Sequence, residues 1–127
     1  MGAQVQPQGQ VSAGREGTTG WIGQAVSGVL LLGLAGLHMV GHHYIVDGGL
    51  RDYGEVLQWI GQPLILFAEV SFLVVVTYHA LAGVRSILFD LGLNEGQKKT
   101  VSRVLAVVGI LTIVYGLFLA FTLFSRA

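Results

Sequence analysis

Cysteine is absent from this chain of 127 residues, and charged residues are scarce. Without thiols the protein has no disulfide, no thiolate nucleophile and no thiolate ligand for an iron–sulfur cluster. Any metal must be held by histidine, carboxylate or carbonyl groups. Charged residues make up 11% and hydrophobic residues 53% of the sequence, which excludes an ordinary soluble domain. Seven basic residues balance seven acidic ones, so no basic surface for nucleic acid is indicated.

Three apolar stretches are long enough to cross a hydrocarbon core about 30 Å thick, which takes about 20 helical residues. They are residues 21–42, 63–89 and 104–124. Only helices satisfy the backbone hydrogen bonds in lipid, because a three-stranded sheet would leave open edges. The sequence therefore predicts an all-α membrane protein with three transmembrane helices in residues 21–127. A cleavable signal peptide is the competing interpretation of the first stretch, which is long and lacks a basic leading run.

Outside the spans the chain is polar or broken by glycine. Residues 1–20 are rich in Gly, Gln, Ser and Thr and are expected to form a disordered or surface-lying tail. Between the first two spans, Gly48 and Gly49 indicate a turn, followed by a short amphipathic helix around residues 53–60 with Trp59 suited to the membrane interface. Residues 92–96 contain two glycines and separate the last two spans.

Basic residues are unevenly distributed around the three spans. One side is predicted to carry Arg15, Arg85, Lys98, Lys99 and Arg103, and the other side only Arg51 and Arg126. The richer side is expected to face the cytoplasm, because positive charge accumulates in cytoplasmic loops. The sequence thus predicts a multi-pass protein of the cell inner (cytoplasmic) membrane, with the amino terminus inside and the carboxyl terminus outside.

Two histidines lie within the predicted spans at different depths. At about 1.5 Å per residue, His38 is about 25 Å beyond Trp21, in the outer half, and His79 is about 24 Å beyond Pro63, in the inner half. A separation of about 20 Å prevents the two rings from ligating one iron, since each ligand nitrogen must come within about 2 Å of the metal. If both histidines bind haem, they bind different haems, and each haem takes its second histidine from another chain. Hydrogen bonding between helices is the alternative role for each histidine.

Residues near His79 suggest a cofactor, and each has a simpler interpretation. Gly83, one turn on, would let a flat macrocycle or another helix approach closely. Arg85, nearer the aqueous edge, would clamp haem propionates or merely extend its charge to the membrane surface. Asp90 is a candidate proton donor for quinone or a charge at a helix end.

Polar residues also mark the outer half of the spans. Glu69 lies in the second span and would be costly there if unpaired, so we expect it to be protonated or paired with a polar group such as His42 on the adjacent helix. His42 follows His38 by one turn on the same face and is a reserve ligand, whereas His43 points elsewhere.

These residues resemble a known family, the small haem-binding membrane anchor subunits C and D of succinate dehydrogenase, which are related to those of fumarate reductase. The family pattern His-x3-Gly-x-Arg-x4-Asp corresponds to His79, Gly83, Arg85 and Asp90. On the first helix, Ser27-Gly28 and the later His38 match the family's Arg-x-Ser-Gly and histidine. This chain has alanine at position 25, where many members have arginine. Trp21-x2-Gln24 is more similar to the D type than to the C type.

The resemblance implies a subunit of succinate dehydrogenase, respiratory complex II, that is not catalytic alone. It implies haem b, one or two molecules, with His79 and His38 as iron ligands and Gly83 and Arg85 beside the haem. Ser27, Asp90, Trp21 and Gln24 are expected near a quinone site. The implied partners are a second membrane anchor subunit, which would complete a haem-binding helical bundle, an iron–sulfur subunit and an FAD flavoprotein subunit.

Two other functions remain candidates from the residues alone. One is a haem-free structural anchor whose histidines only hydrogen-bond between helices. The other is a cytochrome b subunit of a different quinone-linked dehydrogenase, although such subunits usually have four or more spans.

Overall fold

A computed structural model describes residues 14–127, with side chains from Gly17 onward, and within these residues every regular element is helical. Three helices are long and apolar enough to cross a membrane. This confirms the predicted all-α fold with three spans. The elements are α1 (Gly14–Met39), which continues into a π-helical turn (Val40–Tyr44), then α2 (Tyr53–Ile60), α3 (Pro63–Asp90) and α4 (Glu95–Phe124).

The amino-terminal part of α1 overlaps the predicted polar tail. Residues 14–20 form the first turns of the helix, whereas the tail prediction for residues 1–13 and the side chain of Arg15 lie outside the described residues. The span predicted from residue 104 belongs to a longer helix. It starts at Glu95 because the side chain of Asn94 accepts a hydrogen bond from the Gln97 amide (2.9 Å) and forms a capping box.

The segment between α1 and α3 contains the short helix that the sequence predicted, with bounds 53–60. Asp52 caps it through a second capping box with Glu55. Gly48 and Gly49 both have positive φ angles, 84° and 77°, which glycine adopts without steric cost. Pro63 then starts α3 at a position where its missing N–H is not needed.

The third helix is the centre of the bundle. α3 packs against α1 on one side and α4 on the other, while α1 and α4 do not pack on each other within the described part of the chain. Small residues make these contacts close, as is usual between membrane helices. Ser27 of α1, Thr77 of α3 and Gly109 of α4 are the buried residues of the three long helices in this region. A groove therefore runs along α3 between its two neighbours.

Gly116 allows α4 to pack closely against α3, and a larger residue there should weaken the bundle. A Cβ atom at this position would lie 2.5 and 2.8 Å from the two terminal methyl carbons of Leu73. We expect Gly116→Val to lower the free energy of unfolding by about 1–3 kcal/mol, the usual cost of overpacking. The measurement is the thermal unfolding midpoint of the detergent-purified protein. Gly33→Val is the control, because a Cβ at Gly33 has nothing within 4 Å, and equal midpoints for the two variants would contradict the prediction.

Candidate functional site

His79 is held against α1 by a small hydrogen-bond network. Its ring nitrogen Nδ1 lies 3.0 Å from the hydroxyl oxygen of Ser27, which is buried. The same hydroxyl lies 3.0 Å from the carbonyl oxygen of Gln24. The Gln24 side-chain amide in turn donates to the carbonyl oxygen of His79 at 3.1 Å. Two neighbouring residues of α1 thus fix both the ring and the backbone of His79.

This network assigns the protonation of the His79 ring. A serine hydroxyl has one proton to donate, and Ser27 gives it to the Gln24 carbonyl. In that arrangement the hydroxyl oxygen accepts from His79, which corresponds to the tautomer with the hydrogen on Nδ1 and the lone pair on Nε2. A neutral imidazole in this tautomer is the form that ligates a metal through Nε2.

Glycines on both helices make room for this contact. A Cβ at Gly28 would lie 3.3 Å from Cε1 of His79, tight against the ring. A Cβ at Gly83 would lie 3.2 Å from the side-chain nitrogen of Gln24. The missing side chain of Gly83 therefore admits the neighbouring helix, which was one of the two roles expected for it.

A second polar cluster lies near the other end of the same helix pair. Glu69 of α3 places one carboxyl oxygen 2.9 Å from Nδ1 of His38 and the other 3.0 Å from Nε2 of His42. The expected pairing of Glu69 with His42 is therefore present. The pairing with His38 was not anticipated, because both histidines were assigned to the same face without a partner for the first.

The carboxyl group distinguishes the two histidines of this cluster. Because a carboxylate only accepts hydrogen bonds, His38 donates from Nδ1 and keeps a free lone pair on Nε2, whereas His42 donates from Nε2. The side chain of His38 is 37% exposed, against 20% for His42 and for Glu69. His38 therefore has the same free nitrogen as His79, and its side chain is more accessible than that of His42.

A π-helical turn and a hydrogen-bonded arginine stabilise the end of the first span around His42. The π-helical turn contains His42 and ends with the amide of Ile45 donating to the carbonyl oxygen of Val40 at 3.1 Å. Arg51 donates two hydrogen bonds to the carbonyl oxygen of Gly41, at 2.7 and 3.2 Å, and lies 4.2 Å above the ring of Trp59. Such π-turns occur often at functional sites. Here the turn and its brace hold His42 in place, with its ring edge-on to that of Trp59.

The two polar clusters lie at different levels of one helix–helix contact, which we call the His79 level and the His38 level. Eleven residues separate Ser27 from His38 on α1, about 16 Å of helix, and ten separate Glu69 from His79 on α3, about 15 Å. The distance is somewhat shorter than the sequence suggested. It still prevents both rings from ligating one metal ion, since each must come within about 2 Å.

The other predicted residues at the His79 end are spread over several positions. Arg85 donates from Nε to the hydroxyl oxygen of Ser102 on α4 at 3.1 Å and lies over the ring of Phe89. Asp90 is exposed at the end of α3 and has no polar partner among the residues that the structure describes. Trp21 is 70% exposed on α1. Ser27 is buried and contacts His79 and Gln24.

Gln24 and Arg85 do share a cavity, in the groove along α3. The cavity has a volume of about 540 Å³ and is bordered by all three long helices. The carbonyl oxygen of the Gln24 side chain is buried and has no hydrogen-bond donor within the described chain. Since buried acceptors are normally satisfied, this oxygen is a candidate contact for a bound molecule. The polar residues that line the cavity are Gln24, Thr77, Tyr78, Arg85, Ser86 and Ser102.

The basic residues gather at the same end of the bundle. Arg85, Lys98, Lys99 and Arg103 line one cleft of about 680 Å³, together with the single acid Glu95. Arg51 lies at the opposite end, beside the π-turn. The asymmetry expected from the sequence therefore exists in three dimensions for the described residues, and we call this cleft the basic end.

The donor atoms suit a metal at either level. At the His79 level one neutral imidazole offers Nε2, as a haem iron requires. At the His38 level the same is true of His38, and the donor atoms of His38, His42 and Glu69 also lie within 4.8 Å of one another. That triad has the ligand types of a transition-metal ion such as zinc.

Three helices that could span a membrane, with imidazoles fixed at two depths of one helix contact, define a helical membrane protein with a candidate cofactor site in that contact. The chain belongs to the family of succinate dehydrogenase and fumarate reductase transmembrane subunits, because the family model "Succinate dehydrogenase/Fumarate reductase transmembrane subunit" matches residues 2–119. This confirms the resemblance drawn from His79, Gly83, Arg85 and Asp90. The assignment to the D type stays a prediction.

Two curated relatives carry the name "Succinate dehydrogenase hydrophobic membrane anchor subunit". The protein from Archaeoglobus fulgidus is 31% identical over 103 residues, which cover 81% of this chain and 87% of the relative. The protein from Thermoplasma acidophilum is 30% identical over 97 residues, which cover 76% of this chain and 79% of the relative.

Proposed function

We propose that this chain is the haem b-binding membrane anchor of a succinate dehydrogenase and helps electrons from succinate reach membrane quinone. A second anchor subunit would pack beside it and supply the opposing histidine at each haem level. An iron–sulfur subunit and a flavoprotein subunit would lie at the basic end. Membership in the family supports these partners, and the chain alone would catalyse nothing.

The observation that carries the proposal is that His79 and His38 make the same kind of hydrogen bond, through Nδ1 to the neighbouring helix. Each ring places Nδ1 at hydrogen-bond distance from a residue of the other helix, Ser27 or Glu69, and its Nε2 has no hydrogen-bond partner among the described residues. Bound haem b would supply one-electron redox chemistry. The chain's own residues would fix the two imidazoles and keep them at depths about 15 Å apart. A haem-free anchor would use the same hydrogen bonds only to hold α1 against α3, and the haem count distinguishes the two roles.

The groove along α3 is the candidate quinone site. Its volume of about 540 Å³ is within the usual range for a small-molecule pocket. Arg85 would donate a hydrogen bond to a quinone carbonyl there, and the unpaired side-chain oxygen of Gln24 would accept one from a hydroxyl of the reduced quinone. Asp90, Trp21 and Ser27 are not part of the lining of this cavity. We keep Asp90 as the proton donor from the aqueous edge.

The charges at the basic end support one orientation in the membrane. Cytoplasmic loops are enriched in Lys and Arg, so the basic cleft with Lys98, Lys99 and Arg103 would face the cytoplasm, in the inner membrane. The amino terminus would then be inside. In this orientation the groove would open on the side where electrons from a peripheral dehydrogenase would arrive.

The first test is a reduced-minus-oxidised visible spectrum of the detergent-purified complex, with haem counted by the pyridine haemochrome method. We expect a b-type band that succinate reduces, with two haems per complex if both levels are used and one if only His79 is. A colourless complex would overturn the proposal in favour of a haem-free structural anchor.

A further inference from the structure

Glu69 is a half-buried acidic group that the proposed electron path does not use. We propose that it is a positioning residue for His38, which selects His38 over His42 as the iron ligand and lowers the reduction potential of the haem at that level. The inference rests on the proposed function, because it concerns a histidine assigned to haem.

The contact geometry gives Glu69 two separate tasks. One carboxyl oxygen takes the Nδ1 hydrogen of His38 and so leaves Nε2 free, on a ring that is 37% exposed. The other oxygen takes the Nε2 hydrogen of His42 and so removes that atom from ligation. A single carboxylate thus leaves the Nε2 atom of His38 free to bind a metal and engages the Nε2 atom of His42, one turn away, in a hydrogen bond. The ring of Phe72, with its centroid 5.0 Å from that of His38, packs against this imidazole.

The two levels differ in the strength of the acceptor behind each ligand. At the His79 level the acceptor is a hydroxyl, Ser27, which already donates to Gln24. At the His38 level the acceptor is a carboxylate, and hydrogen bonds to charged acceptors are about twice as strong as neutral ones. A stronger acceptor makes the imidazole more basic toward its metal. A more basic axial ligand favours the oxidised iron, so the haem at the His38 level would have the lower potential of the two.

The decisive variant is Glu69→Gln in the intact purified complex. Glutamine has nearly the same shape and still accepts from His38 through its carbonyl, but it carries no charge. We expect both haems to be retained and the reduction equilibrium of one to shift at least tenfold toward the reduced form, about 59 mV for one electron. Redox titration monitored by visible absorption and by electron paramagnetic resonance of the oxidised haems measures the shift. The affected signal should be the one that His38→Ala abolishes.

Two further variants separate positioning from general damage. Glu69→Asp restores the carboxylate and should bring the potential back toward the parental value. Ser71→Ala is the matched control on the same helix, because its hydroxyl only donates to the carbonyl oxygen of Phe67 in its own helix. It should leave both potentials unchanged.

The inference would be overturned by three results. These are unchanged potentials in Glu69→Gln, loss of a haem from His42→Ala instead of His38→Ala, or stoichiometric zinc in the metal analysis that disappears with His38→Ala while the haem count stays constant. A complex without any haem would defeat the proposed function itself, and haem counting on the parental complex shows this before any variant is made.

Discussion

Replacing His79 by alanine is expected to remove one haem per complex and to leave the signal of the other. The imidazole is the chain's only candidate ligand at that level within the described residues, with its Nε2 free and its Nδ1 held by Ser27. Alanine leaves no nitrogen to bind iron, so the haem would lose one of its two axial ligands. The measurement is the pyridine haemochrome count together with the electron paramagnetic resonance spectrum of the oxidised complex.

Two variants sharpen this prediction. Ser27→Ala keeps the imidazole but removes the acceptor for its Nδ1 hydrogen, so haem affinity should fall about 10–100-fold, without abolition of the site. His43→Ala is the matched control, because that exposed ring only contacts the carbonyl oxygen of Gly49. A full haem complement in His79→Ala would show that another residue ligates the haem and that His79 only hydrogen-bonds between helices.

The helical fold was predictable from the sequence because lipid imposes a simple rule. Apolar stretches of 20 residues or more must be helices, and the short helix at 53–60 follows from its amphipathic pattern and turn residues. Hydrophobicity does not show where a helix begins, because a helix can extend beyond the apolar segment. The polar first turns of α4 continue the helix because Asn94 and Gln97 cap it, so α4 begins at Glu95, nine residues before the predicted span.

The site was predictable in part. The pairing of Glu69 with His42 could be foreseen because an isolated acid inside a membrane needs a partner. The contact between Ser27 and His79 could not, since it depends on which faces of α1 and α3 meet, and their nearly uniform hydrophobicity carries no such signal. Ser27 was expected beside quinone on family resemblance, and the structure adds its bond to His79. The contact of Arg85 with Ser102 had no signal in the sequence.

The second large effect concerns the choice between His38 and His42. We expect His38→Ala to remove the haem at the His38 level and His42→Ala to retain it, because only His38 has Nε2 free while the Nε2 of His42 is held by Glu69. Haem counts on the two purified complexes measure the difference. Both variants remove one imidazole from the same cluster, their rings being 4.4 Å apart, so each controls for the loss of a hydrogen bond to Glu69.

The two variants should also differ in the reduction potentials of the haems that they retain. In His42→Ala the carboxylate of Glu69 serves His38 alone, so its hydrogen bond should strengthen and the potential of that haem should fall slightly further. In His38→Ala the haem at the His79 level should keep its potential, because about 15 Å of helix separates it from the change. Haem loss in His42→Ala with retention in His38→Ala would reverse the assignment and make the π-helical turn, rather than α1, the source of the ligand.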